Sequence, residues 1–295
     1  MNPALALTFN ALVWGTSWWP LRQLAARGLH PLWATAIIYF VAVAVLLLVR
    51  PHALAQLLRT PVLWVLVLAA GTTNAAFNWG VVAGDVVRVV LLFYLMPLWT
   101  VLFARVLLRE PITPHAGARV LLALLGAAVV LWPPGRGWSG VPWPRSLPDW
   151  LGVVGGASFA LNNVMLWREA GRPAQSLALA MFLGGACISA SLAVLMAAPT
   201  TGTGAVPWPP LPQAPWVLLV LVMAALFLMG NLALQFGAAR LPANVTSVVM
   251  LTEVVFAAGS AMWLGVGELT LQLLLGGGII LLAALWSAFG PGAAD

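Results

Sequence analysis

The sequence predicts an all-α polytopic membrane protein in which ten transmembrane helices form two inverted-topology five-helix repeats. Three observations predict it: an apolar, almost charge-free composition, a series of apolar segments of bilayer-crossing length, and an internal repeat. Of the 295 residues, 62% are hydrophobic and 7% are charged, and the mean hydropathy is +1.01. Soluble domains hold about 45–50% apolar and about 25% charged residues, so the seven carboxylates present cannot solvate a globule of this size. Roughly twenty apolar residues cross a bilayer as a helix. The length therefore holds ten spans with short loops and leaves nothing for a large extramembrane domain.

Proline, glycine and charge set the segment ends in order. The first span, Pro3–Leu21, stops at Arg22, and Leu32–Val49 runs from Pro31 to the Arg50-Pro51 break. Val62–Val82 follows Pro61 and ends before Gly84-Asp85, and Val86–Leu108 ends at Arg109-Glu110-Pro111. His115–Trp132 closes the first set at Pro133-Pro134. The second set comprises Trp150–Trp167, Ala174–Met196, Trp216–Phe236, Asn244–Leu264 and Thr270–Phe289. The two longest breaks, Trp132 to Trp150 and Pro199 to Pro215, are rich in Pro, Gly and Trp; the first two suit loops and Trp suits the bilayer interface. No basic residue precedes Arg22, so the charged head of a cleavable signal peptide is missing and the first span is expected to be retained. Cys187 stands alone in an apolar run, where it reads as a small core residue and offers no intrachain disulfide.

All 13 basic residues are Arg. They are scattered between apolar runs and form no basic stripe, which argues against nucleic acid despite a formal charge of +6. Membrane topology accounts for them better. With the N-terminus inside, the inner loops carry Arg50, Arg59, Arg105, Arg109, Arg119, Arg168, Arg172 and Arg240, and the outer loops carry Arg22, Arg27, Arg88, Arg136 and Arg145. Eight against five places both termini in the cytoplasm, in the cytoplasmic (inner) membrane.

The repeat appears where Asn74-Ala-Ala-Phe-Asn78-Trp-Gly80 aligns without a gap on Asn231-Leu-Ala-Leu-Gln235-Phe-Gly237. The register runs on to Pro97 against Val254, and a one-residue shift brings Glu110 to Glu268. A weaker match sets Trp14-Gly-Thr-Ser17 over Phe159-Ala-Leu-Asn162, with Arg27 over Arg172. A unit of five spans is odd, so its second copy enters the membrane upside down, an arrangement common among secondary transporters. The units are residues 1–137 and 138–295.

At these residues the chain resembles the drug/metabolite transporter superfamily, in particular proteins built from two EamA domains. The resemblance rests on Trp14-Gly-Thr-Ser-Trp18, on the segment before each fourth span, and on fourth spans carrying Pro97 or Glu253. Glu110 (Glu-Pro-Ile-Thr) and Glu268 (Glu-Leu-Thr) follow those spans. Within the superfamily, residues 36–48 and 93–104 look most like the aromatic amino-acid exporter branch. The resemblance implies a central cavity lined by the first, third and fourth helices of each half, with the fifth and tenth helices peripheral. It also implies a small-molecule substrate, with amino acids foremost. The chain departs from the pattern in placing Tyr39 where many relatives carry Arg. The Glu-Pro pair is also split, with Pro97 in one half and Glu253 in the other.

Candidate residues follow from chemistry that hydrocarbon penalises. Glu253 is the acid nearest the middle of a span, where a carboxylate must be neutral, paired or solvated. It reads either as a proton carrier or as a packing residue. Asn74 and Asn78, like Asn231 and Gln235, are spaced i, i+4 and so share a helix face. These amides either bind a zwitterion or bond across helices. Asn162 and Asn163, with Thr16 and Ser17 opposite, are further candidates for the cavity wall. Trp14, Trp18, Phe77, Tyr94 and Trp99 are the aromatics placed nearest to it, able to stack on rings or face cations. Arg22, Arg88 and Arg105 read as residues snorkelling to the headgroups, with Asp85 as a partner for Arg88. Pro97 is expected to kink its span.

An enzyme is not expected. Intramembrane aspartyl chemistry needs two deep acids, no HExxH or GxSxG run occurs, and His30, His52 and His115 each adjoin a proline without ligand spacing. Neither cofactor nor metal is implied. The reading is a secondary transporter, with export the favoured direction, that moves small metabolites such as amino acids by alternating access. Its partners would be the substrate, the lipid bilayer and protons. Alternatives are a facilitative or drug carrier of the same superfamily and a non-transporting membrane assembly subunit.

Overall fold

The computed structural model describes residues 2–109, 111, 114–132, 143–169, 171–197, 206–238, 240, 249–250, 252–266, 268 and 270–289. Among the described residues all regular structure is helical. The expectations concerning Glu110, Arg136 and residues 244–248 lie outside them.

Helix starts follow the expected signals. Asn2 caps α1 (Pro3–Thr16), its side chain accepting from the Ala4 N–H, and α2 (Trp18–Ala26) continues nearly in line. The single first span of the sequence reading is thus two helices, broken at Ser17. Pro20 has no N–H to offer the Thr16 carbonyl, so the ladder cannot continue through it. The Ser17 N–H bonds Trp14 O at 3.2 Å instead. Next come α3 (Pro31–Val49), capped by His30, and the short α4 (His52–Leu58), which the sequence did not announce. α5 (Leu63–Ala83) follows.

The fourth predicted span is also interrupted. α6 (Val86–Phe93), with Asp85 as its N-cap, ends at Tyr94, and α7 (Met96–Phe103) begins with Pro97 in its first turn. A proline costs nothing there because that N–H has no helical partner. The expected kink is therefore a break, completed by a π-helical turn over Ala104–Leu108 that ends at a left-handed Arg109 (φ 61°). α8 (Pro114–Leu131), α9 (Leu147–Arg168), α10 (Ala174–Met196), α11 (Ala214–Ala238), α12 (Thr252–Trp263) and α13 (Leu271–Phe289) complete the chain. Among the described residues, five stretches are long and apolar enough to cross a membrane: Pro31–Val49, Leu63–Ala83, Val86–Leu108, Ala174–Met196 and Ala214–Gly237.

Polarity is arranged inside out. Leu48, Leu195 and Trp263 are 85%, 79% and 86% exposed, whereas Asn10, Asn74, Asn78, Asn162 and Glu253 are all buried. Water does not select that distribution, and a hydrocarbon surround does. α5 packs between α9 and α10, α1 between α11 and α12, and α8 lies along α13. Small residues let the backbones approach. A Cβ on Gly71 of α5 would stand 2.5 Å from Gly184 O of α10, and one on Gly126 of α8 would stand 2.8 Å from Gly276 O of α13.

Candidate functional site

A partly open pocket of about 80 Å³ lies between helices that precede residue 132 and helices that follow residue 146. Its first-half wall is Asn10 and Trp14 of α1, Tyr39 of α3, Thr73, Asn74 and Phe77 of α5, and Phe93 of α6. Its second-half wall is Phe159 and Asn162 of α9, Met181 and Phe182 of α10, Phe227 and Asn231 of α11, and Glu253 of α12. Among the described residues, α8 and α13 contribute none to it. The second helix of each half, which the resemblance left out of the lining, supplies Tyr39 and Phe182.

Ring packing shapes the space. Trp14 stacks on Phe227 with centroids 4.6 Å apart and meets Phe77 edge-on at 6.2 Å. Phe93 joins Phe77 at 5.0 Å and Phe159 at 5.2 Å, which links the two halves through aromatic contacts. Contacts of this kind add about 0.5–1.5 kcal/mol each beyond area burial.

The amides sit in two different settings. Along α3 and α5, Tyr39 donates its hydroxyl to Asn74 Oδ1, and Asn78 Nδ2 donates to Thr35 Oγ1 at 3.0 Å. Residues 35 and 39 face residues 78 and 74 as two rungs, so the i, i+4 spacing on α5 meets the same spacing on α3. In α11 the pair closes on itself, Gln235 Nε2 donating to Asn231 Oδ1 at 2.8 Å. Asn74 and Asn231 line the pocket, whereas Asn78 and Gln235 are not part of its wall. Asn74→Ala is expected to weaken small-molecule binding in the pocket several-fold with little loss of expression. A fall in expression with binding unchanged, measured on protein in vesicles, would assign Asn74 to helix packing alone.

The other candidates divide similarly. Trp14, Phe77 and Glu253 line the pocket. Tyr94 stands behind Glu253, its hydroxyl 3.3 Å from Glu253 Oε2 and 3.3 Å from Met250 O. Ser17 is buried and donates to Trp14 O, which uses its hydroxyl at the α1–α2 break. Trp18 is buried with its indole N–H on Ser260 Oγ at 2.9 Å, a bond from the first half to the second. Trp99 is half-buried on α7 and stands apart from the pocket, its indole nitrogen without a partner among the described residues. Asn163 is exposed, and its neighbour Asn162 faces the pocket instead, because adjacent helical residues point about 100° apart. Asn10, Thr73, Phe93, Phe182 and Phe227 were not anticipated. Asn10 carried a signal, as a lone amide in an apolar span, and the phenylalanines carried none that separates them from lipid-facing rings.

Arg22 and Arg88 are fixed away from the pocket. Arg22 donates to the carbonyls of Val81 and Gly84. Asp85 is not the partner of the Arg88 guanidinium, since its side chain is spent on capping α6 through the Arg88 backbone N–H at 2.8 Å. The guanidinium instead forks onto Asp149, with Nε 2.6 Å from Oδ1 and Nη2 3.1 Å from Oδ2, and donates Nη1 to Val130 O at 2.8 Å. Burial pushes the Asp149 carboxyl up, but the bonds from Arg88 and the Arg145 backbone N–H outweigh it and hold it below the ordinary aspartate range. Gln272 adds donors to Val129 O and Trp132 O, both at 2.7 Å. The C-terminus of α8 is thereby tied to α6, α9 and α13.

Comparisons with known proteins bear on this arrangement. No curated protein matches the chain. A solved structure described as "Crystal structure of protein" is 19% identical, with a TM-score of 0.56 over 98% of this chain and 96% of that one, a likeness of fold alone. The family model that matches is the EamA-like transporter family, over residues 2–132, which hold α1 to α8 and the first-half wall of the pocket. Residues 2–132 are thus similar to the EamA-like transporter family, a likeness that covers a little under half of the chain.

Proposed function

We propose that the chain is a secondary transporter of the cytoplasmic (inner) membrane that exports small metabolites such as amino acids by alternating access. Ten spans, with α1–α2 and α6–α7 each counted as one, would form two inverted units, residues 1–137 and 138–295, with both termini in the cytoplasm. The observation that carries the reading is the pocket, whose amides and rings come from helices of both units.

The helix pairing supports the two-unit reading. If α1, α3, α5, α6 and α8 are exchanged with α9, α10, α11, α12 and α13, the contact α1–α11 becomes α9–α5, which is also present. Likewise α1–α12 becomes α9–α6, and α3–α11 becomes α10–α5. Rocking of two such units about a shared site is the usual route to alternating access. A non-transporting assembly subunit would have no use for a pocket lined by amides and a carboxylate between its units.

The test is counterflow in proteoliposomes loaded with members of a metabolite panel, with and without a pH gradient. Accumulation of at least one labelled compound against its own gradient is expected, steepened by the proton gradient. No counterflow by any member, from protein that is folded and oriented both ways, would end the proposal.

A further inference from the structure

The charges around the pocket are one-sided. Among the described residues of its wall, Glu253 is the one acid, and no Arg or His is present. The chain has no Lys, and residues 241–248, which precede α12 in the sequence, contain no basic residue. Arg22, Arg88 and Arg240, basic residues next to helices that line the pocket, are held by carbonyls and by Asp149.

A carboxylate placed here would therefore meet no counter-charge from the described residues of the wall. It would stand near the Glu253 carboxylate and against rings whose faces are negative, in surroundings where screening is weak. An ammonium group would find the opposite on every count. Glu253 supplies the charge, with Tyr94 donating to Oε2 from behind and so orienting the carboxylate. The rings of Trp14, Phe77, Phe93 and Phe227 line the same space, where an aromatic face attracts a cation and the ring bodies pack against an apolar group.

The wall also holds acceptors that nothing uses. Asn10 and Asn162 are 1% and 2% exposed, and the Oδ1 of each is without a hydrogen-bond partner among the described residues. A buried acceptor left unmade costs about 1–3 kcal/mol. Rotation about the soft terminal torsion of asparagine turns such an oxygen toward a ligand N–H.

From this juxtaposition we infer that the pocket selects organic cations, specifically amines on an aromatic or bulky apolar body, over the corresponding zwitterionic amino acids. The inference rests on the pocket being the transport site and narrows what it carries. The positive nitrogen binds Glu253 and one of the asparagine oxygens, and the ring of the ligand lies among Trp14, Phe77 and Phe227. Carboxylate-bearing relatives are disfavoured by what they would face.

The experiment uses the full chain in lipid nanodiscs and three matched probes: 2-phenylethylamine, phenylalanine and 3-phenylpropionate. They share a benzyl body and differ in charge as cation, zwitterion and anion. The amine is expected to bind roughly tenfold or more tighter than phenylalanine, the size of one charge-assisted contact, and the anion weakest of all. Phenylalanine binding as tightly as the amine, or a preference for the anion, overturns the inference. So does binding of uncharged or anionic metabolites in the panel when all three probes fail. Counterflow separates the two readings. Exchange of phenylalanine without exchange of the amine leaves a transporter and removes the cation preference. Amine binding with no counterflow of any compound leaves the preference and removes transport.

Discussion

Glu253→Gln is expected to weaken binding of an aromatic amine by roughly 10- to 100-fold and to abolish the effect of a proton gradient on counterflow. Glutamine keeps the shape of the side chain and its acceptor for the Tyr94 hydroxyl, so packing is preserved and the charge is what is lost. Hydrogen bonds to charged groups are worth about 1.5–3 kcal/mol, which is the origin of the fold-change. Glu253 is 7% exposed, so a variant without the charge is expected to be at least as heat-stable as the parent. Glu253→Asp, which retains the charge, should keep measurable amine binding. Proton dependence like that of the parent in Glu253→Gln would remove this residue as a coupling group, and unchanged amine affinity would remove it as the cation's partner.

The second large effect is on stability. Arg88→Ala leaves the Asp149 carboxylate, 3% exposed, without the guanidinium that accounts for both of its side-chain bonds across helices. Removing one member of a buried ion pair costs about 3–5 kcal/mol, and the lower end applies here because the Arg88 side chain is 30% exposed. The sign of the pH dependence follows from the depressed Asp149 carboxyl. The parent's pair contributes stability above the ordinary aspartate value of about 3.9 and loses it as pH falls through the lower native value. In the variant the buried carboxyl has lost Arg88, so burial dominates and it takes up a proton more readily. The difference in melting temperature between parent and variant should therefore be largest near neutral pH and shrink as pH is lowered toward 4, as followed by thermal unfolding in detergent. A gap that is constant with pH would mean that Arg88 acts through packing and the Val130 carbonyl alone.

Much of this architecture is legible in the residues, and the gaps have physical reasons. Apolar run length and proline position gave the helices well, because both act locally. They overestimated continuity at Ser17 and Tyr94, where a break costs little because neighbouring helices cover it. The α5 amides were found because polar groups in an apolar span are rare. Their partners on α3 were not, since Thr35 and Tyr39 look unremarkable within their own helix. Asn162 and Asn163 could not be told apart without knowing which face of α9 turns inward. Asp85 was the nearest acid to Arg88 in sequence, but a side chain that caps its own helix has no oxygen aimed at the next turn's guanidinium. Asp149, 61 residues away, came into reach only through the packing of α9 on α6.

The interruptions at Ser17 and at Tyr94–Leu95 each adjoin a residue of the pocket region, Trp14 in the first case and Glu253's partner Tyr94 in the second. An unbroken rod resists bending along its whole length, but one with a missing rung has a soft joint where a few degrees cost almost nothing. Both joints fall within residues 3–108, which can flex there beside the pocket, whereas α9 and α11 pass it without interruption. Strain produced by a bulky occupant would accordingly reach these two joints before it reaches those helices.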